Sequence, residues 1–103
     1  MTDPSSKEIR QLRALAHGLS PVVTVAGKGL SDNVLSELNR ALEDHELIKV
    51  KVAVGDREQR DSVIAQLCEI SGAILVQRIG NIAIILRRNP QPDPKKSNLL
   101  RKG

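Results

Sequence analysis

Between a short β-branched run and an amphipathic segment the chain reads Ala26-Gly27-Lys28-Gly29-Leu30-Ser31, a string suited to anion chemistry. Glycines let a backbone approach a ligand closely, and a helix N-terminus offers N–H groups and the positive end of a dipole. With Ser31 placed to cap the next helix, Gly27 and Gly29 can cradle a phosphate while Lys28 supplies a mobile cation. A tight strand-to-helix turn asks for glycine on its own account, so the string is a candidate and no more. It is not a P-loop, which needs Gly-x-x-x-x-Gly-Lys-Ser/Thr.

A second basic set sits at helical spacing: Lys7, Arg10, Arg13 and His17, with no acid among them. Any amphipathic helix has a solvated outer face, and this one is a candidate RNA contact. Arg78, Arg87 and Arg88, read as lying near a hairpin, extend the candidate basic surface. Lys49 and Lys51 share one side of a strand, where helices on both faces would force their ammonium groups to snorkel to an edge. Phe, Tyr and Trp are absent, which argues against modes that stack bases on aromatic platforms. Contact with nucleic acid would have to use Lys, Arg, backbone amides and shape.

Catalytic constellations are not visible. His45 falls in an apolar helical stripe near a helix C-terminus and reads as packed, and lone Cys68 reads as core. Two histidines and one cysteine at unrelated spacings make no zinc site. The residues therefore read as those of a non-enzyme with no cofactor, metal or small-molecule substrate.

Those side chains need a scaffold, and periodicity supplies one. Ser5 with Glu8 is a capping-box pair opening a helix whose Ile9, Leu12, Leu15, Ala16 and Leu19 recur on one face. Gly18 and Pro21 end it, and Val22 to Val25 reads as a strand. Ser31 caps a second helix with the stripe Val34, Leu35, Leu38, Ala41 and Leu42. Leu47 to Val54 alternates as a strand, with Ile48, Val50, Val52 and Val54 on one side. Asp56 and Gln59 cap a third helix with Val63, Ile64, Leu67 and Ile70 inward, stopped by Gly72. Ala73 to Ile79 and Ile82 to Arg88 are strands joined by a Gly80-Asn81 turn. The order is α-β-α-β-α-β-β. An α/β single domain is expected, a four-stranded mixed sheet packed with three helices, its β-α-β units pairing parallel and its last hairpin antiparallel.

Charge refines the picture. Of a net charge of +4, most lies in 89–103, where Lys95, Lys96, Arg101 and Lys102 face only Asp93. Segment 31–46 is acidic, with Asp32, Glu37, Glu43, Asp44 and Glu46 against Arg40. Such segregation suggests a basic surface turned away from an acidic helix. Residues 1–88 are expected to form the folded domain and 89–103, with three prolines, a disordered basic tail. The opening Met1-Thr2-Asp3-Pro4 shows no signal pattern and no run spans a bilayer, so a cytoplasmic protein without membrane contact is expected.

The chain resembles the YhbY-like CRM-domain family. The likeness lies in Leu12-Arg13-Ala14-Leu15-Ala16-His17, Pro21-Val22-Val23, Gly29-Leu30-Ser31 and, most strongly, Ala41 to Lys51 followed by Asp56-Arg57-Glu58. Val76-Gln77, Ile79-Gly80 and the apolar strand ending at Arg87 complete it, over about residues 5–88. The resemblance implies the αβαβαββ fold, related to the C-terminal domain of translation initiation factor 3. It also implies RNA binding through a Gly-x-x-Gly loop likened to that of KH domains, and association with ribosomal RNA in large-subunit precursors during ribosome assembly. Two departures stand out. The family loop's first glycine aligns with Ala26, which would leave the backbone there less free. A tyrosine common before the last strand's arginine is Leu86 here, which removes an aromatic contact. The competing expectation is a ribosome-associated interaction module that docks through the acidic second helix.

Overall fold

Reciprocal capping fixes where the helices begin. In the computed structural model, which describes residues 5–27 and 29–99, helix α1 (Ser6–His17) starts at Ser5. The Ser5 hydroxyl accepts from Glu8 N–H, and the Glu8 carboxylate accepts from Ser5 N–H. Helix α2 (Asp32–His45) starts at Ser31, whose hydroxyl accepts from Val34 N–H. Helix α3 (Arg57–Ser71) repeats the reciprocal box with Asp56 and Gln59 and ends at Gly72, φ 75°. A cap of this kind is worth about 1 kcal/mol.

Strands β1 (Pro21–Val25), β2 (Leu47–Val52), β3 (Ile74–Ile79) and β4 (Ile82–Leu86) form one sheet in the order β1-β2-β4-β3. β1 and β2 pair parallel across helix α2, as the β-α-β reading expects. The second unit differs: β3 does not pair with β2, because β4 lies between them and is antiparallel to both. The residues explain the insertion. β4 is Ile-Ala-Ile-Ile-Leu, apolar on both faces and thus suited to a central position, whereas β3 carries Gln77 and Arg78 and tolerates an edge.

The two sheet faces are covered unequally. Val23, Val25, Ile48, Val50, Val52, Ala83 and Ile85 pack under α2 and α3 with Leu38, Leu42, Ile64 and Leu67. On the other face α1 is the one helix, among the described residues, that lies across the sheet, burying Leu12 and Ala16 against Leu47, Val76, Ile84 and Leu86. Each fully buried aliphatic side chain contributes about 1.5–3 kcal/mol.

Two inward assignments from periodicity are corrected. Leu15 is 37% exposed because α1 touches the sheet along a narrow seam, and Ile70 is 59% exposed on the outer side of α3. The strands are also shorter than their apolar runs, with Val54 and Arg87 outside them.

The described part of the segment expected as a basic tail makes specific contacts with the domain. Residues 89–99 fold back along the C-terminal end of α2, so the packed unit does not stop at residue 88. Ser97 is fully buried; its hydroxyl donates to the Glu46 carboxylate. Asn98 N–H donates to His45 O, the Asn98 amide to Leu47 O, and Leu99 joins the seam beneath α1. Polar bonds to buried groups, rather than apolar area, hold this segment. Residues 100–103 lie outside the described residues.

Candidate nucleic-acid interface

The parallel strands β1 and β2 end together, and β4 begins beside them, so three connections meet at one end of the sheet. Ala53 N–H donates to Val25 O (2.8 Å) and Val52 N–H donates to Asn81 O (2.7 Å). The loop after β1, the loop before α3 and the Gly80-Asn81 turn are thereby stitched side by side. The N-termini of α2 and α3 open at this same end, with their positive dipole ends.

Within the first loop, Gly29 N–H donates to Ala26 O (2.7 Å) and Gly29 has φ 70°, a conformation that favours glycine. Ala26 is not in the left-handed region, so alanine there adds no strain. Gly27 needs no positive φ, and a Cβ built on it would meet nothing within 4 Å. The protein's own packing therefore does not demand glycine at 27, which leaves an open, side-chain-free approach to the loop backbone. Lys28 lies outside the described residues.

Of the α1 set, Lys7, Arg10, Arg13 and His17 are all exposed. They face solvent on the side of the sheet that α1 covers only in part. On the uncovered strip of that face Lys51 is exposed and Lys49 half-buried, with Val22 and Thr24 exposed beside them. Lys51 pairs in the ladder with Thr24 and Ile82, next to the loop end. The open strip means that Lys51 has no need to snorkel.

The three arginines read as one group are separated. Arg78 stays at the loop end, where Nε donates to Gly80 O (3.3 Å) and the guanidinium pairs with Asp61. Arg87 and Arg88 follow β4 at the other end of the sheet, about 14 Å away at some 3.4 Å per residue. Arg87 ties elements together: its Nη1 donates to Asn39 Oδ1 and Ser71 O, both at 2.9 Å, and its Nη2 to Asn39 O at 3.1 Å. Arg88 pairs with Glu8 across 3.1 Å, both side chains roughly half exposed. Such a surface pair is worth about 0–1 kcal/mol.

Two arginines escaped the sequence reading. Arg57 and Arg60 project from the first turns of α3 toward Arg78 and Gly80 and line a shared cleft. Their i, i+3 spacing was the available signal, masked by the neighbouring Asp56, Glu58 and Asp61.

The remaining candidates have structural employment. His45 Nδ1–H donates to Lys96 O at 2.8 Å. Cys68 packs half-buried beside the core, and burial pushes its thiol pKa up. Among the described residues no group of three or more His, Cys, Asp or Glu could hold a metal ion, and no helix is long and apolar enough to cross a membrane. The acidic set of α2 is partly consumed: Glu46 is buried under the C-terminal segment, and Asp44 faces Lys96 at 4.0 Å.

The chain is similar to several known proteins. A probable RNA-binding protein of Pseudomonas aeruginosa is 44% identical over 97 residues, covering 94% of this chain and 93% of the relative. An RNA-binding protein of Haemophilus influenzae is 46% identical over 87 residues, covering 84% of this chain and 88% of the relative. The solution structure of a hypothetical protein from Staphylococcus aureus superposes with a TM-score of 0.75 at 30% identity, covering 86% of this chain and 93% of that one. With the model of the CRS1/YhbY (CRM) domain matching residues 5–87, from the cap of α1 to the arginine after β4, the chain belongs to that family.

Proposed function

We propose that the protein binds RNA without catalysing a reaction, gripping the phosphate backbone at the end of the sheet where the three connections meet. The observation that carries this reading is the glycine loop itself. Gly27 is glycine where neither φ nor packing requires it, just ahead of the N-terminus of α2. Phosphate contacts position a nucleic acid without reading its bases, and a surface without aromatic rings is suited to that role. Gly27, Lys28 and Gly29 contact the backbone directly. Lys51 and the exposed Lys7, Arg10, Arg13 and His17 of α1 add attraction over the adjoining face.

The names of the relatives support an RNA partner. The family resemblance extends the proposal to ribosomal RNA within precursors of the large subunit, in the cytoplasm, during ribosome assembly. Crosslinking the tagged protein to RNA in cells and sequencing the attached fragments tests that extension. Enrichment of large-subunit precursor RNA is expected; crosslinks spread over messenger RNA in proportion to abundance would contradict it.

A further inference from the structure

The cleft between the N-terminus of α3 and the β3–β4 turn holds three guanidinium groups and has no assigned role. Arg57, Arg60 and Arg78 line it together with Gly80, around a volume of ≈ 350 Å³. Asp61 pairs with Arg78 and neutralises one charge. Among the described residues no ion pair engages Arg57 or Arg60, although two carboxylates, Asp56 and Glu58, share their turn. The Asp56 carboxylate is engaged in capping, where its Oδ1 accepts from Gln59 N–H, and Glu58 is exposed on the same turn.

Arg60 is set half-buried at the wall of this cleft. Its Nε is buried and meets no acceptor. A guanidinium has five donors in a fixed fork, so with Nε enclosed the Nη donors are left to meet a ligand. Two forks that line one cleft suit a phosphate, whose oxygens match guanidinium geometry.

We infer that Arg57, Arg60 and Arg78 form a phosphate clamp for a second point on the RNA backbone. This rests on the RNA-binding reading above and extends it to a place that the glycine loop does not reach. The clamp lies at the β3 edge and the glycine loop at the β1 edge, three strand spacings apart, or about 14 Å. A strand laid across the end of the sheet meets the loop first and the clamp a few nucleotides later. Because the clamp takes phosphate oxygens, it is indifferent to base sequence.

The test follows the guanidinium Nε–H resonances of the full chain by NMR during titration with a short single-stranded RNA and, separately, with inorganic pyrophosphate. Shifts of the Arg57 and Arg60 signals together with the loop amides of Gly27 and Gly29 are expected with RNA. Arg60→Gln should weaken that RNA about tenfold and lower the salt slope by about one contact, by similar factors for all sequences. Arg57→Gln, at an exposed position where the fold should be little affected, should do the same. If the loop amides shift while the arginine signals stay still, the clamp is wrong and RNA binding stands. Arginine shifts with pyrophosphate alone would make this a site for a free anion and overturn the RNA clamp. No shift with either probe would overturn both readings.

Discussion

The Glu46 carboxylate accepts a 2.6 Å hydrogen bond from the Ser97 hydroxyl, joining the end of α2 to a residue 51 positions later. Its other oxygen accepts from Asn89 N–H at 2.7 Å, and its backbone O accepts from Arg87 N–H at 2.9 Å. Glu46 itself is 3% exposed with φ 62°, an unfavourable backbone region for a residue with a Cβ. That conformation costs on the order of 1–3 kcal/mol and persists only when the surroundings over-determine it. The segment 89–99 supplies much of that determination.

Removing residues 89–103 should therefore lower stability, since it strips partners from a buried carboxylate. A loss of about 2–4 kcal/mol is expected, from unmade charge-assisted bonds and the lost burial of Leu99. Ser97→Ala alone should cost about 1–3 kcal/mol. Urea denaturation measures both; a truncated chain as stable as the full one would show that the segment does not hold Glu46 in solution.

Arg87 and Arg88 should separate cleanly despite being neighbours. Arg87→Ala removes three hydrogen bonds that link α2 and α3 to the end of β4, and should cost about 2–4 kcal/mol. Arg88→Ala loses one exposed ion pair and should stay within about 1 kcal/mol of the parent. Equal effects of the two substitutions on the thermal midpoint would refute the assignment of Arg87 as a structural tie.

The seam under α1 gives a similar contrast. Leu12→Ala should cost about 2–5 kcal/mol by opening a cavity against Leu47 and Leu86, whereas Leu15→Ala, partly exposed, should cost well under half as much. A larger loss for Leu15 in denaturant titrations would mean that α1 is rotated about its axis.

How much of this was legible beforehand follows from how local each feature is. The caps at Ser5, Ser31 and Asp56 and the stop at Gly72 depend on residues a few positions apart, and they lie where the spacing puts them. The place of β4 between β2 and β3 was hidden from order alone, although its apolarity on both faces carried the hint. The docked segment was not legible: it has the prolines and charges of a loose tail, and only the tertiary partners of Ser97 and Asn98 order it. The same holds for the site. The glycine loop announces itself in sequence, whereas Arg57 and Arg60 join Arg78 only once the sheet brings the turn beside α3.

Cys68 offers a chemical check on the packing of α3. Burial raises its thiol pKa, so less of it is thiolate at any given pH than in the unfolded chain. The sign follows: ionisation favours the unfolded state, so this group's contribution to stability is intact below the unfolded thiol pKa and is lost as pH rises through the folded one. Alkylation of the native protein at neutral pH should be slower than in urea. Equal rates after correction for denaturant would show that α3 leaves the thiol open to solvent.

The central claim is that the loop end of the sheet binds RNA through its phosphates. The most direct measurement is fluorescence anisotropy of a labelled ribosomal RNA fragment, titrated with wild type and Lys28→Glu over a series of salt concentrations. Wild-type affinity should fall by on the order of tenfold or more between about 50 and 200 mM salt, through counterion release. Lys28→Glu should weaken binding by about 1–2 kcal/mol at fixed salt with an unchanged thermal midpoint. Affinity that is insensitive to both salt and the substitution would place the RNA elsewhere on the protein and contradict the account.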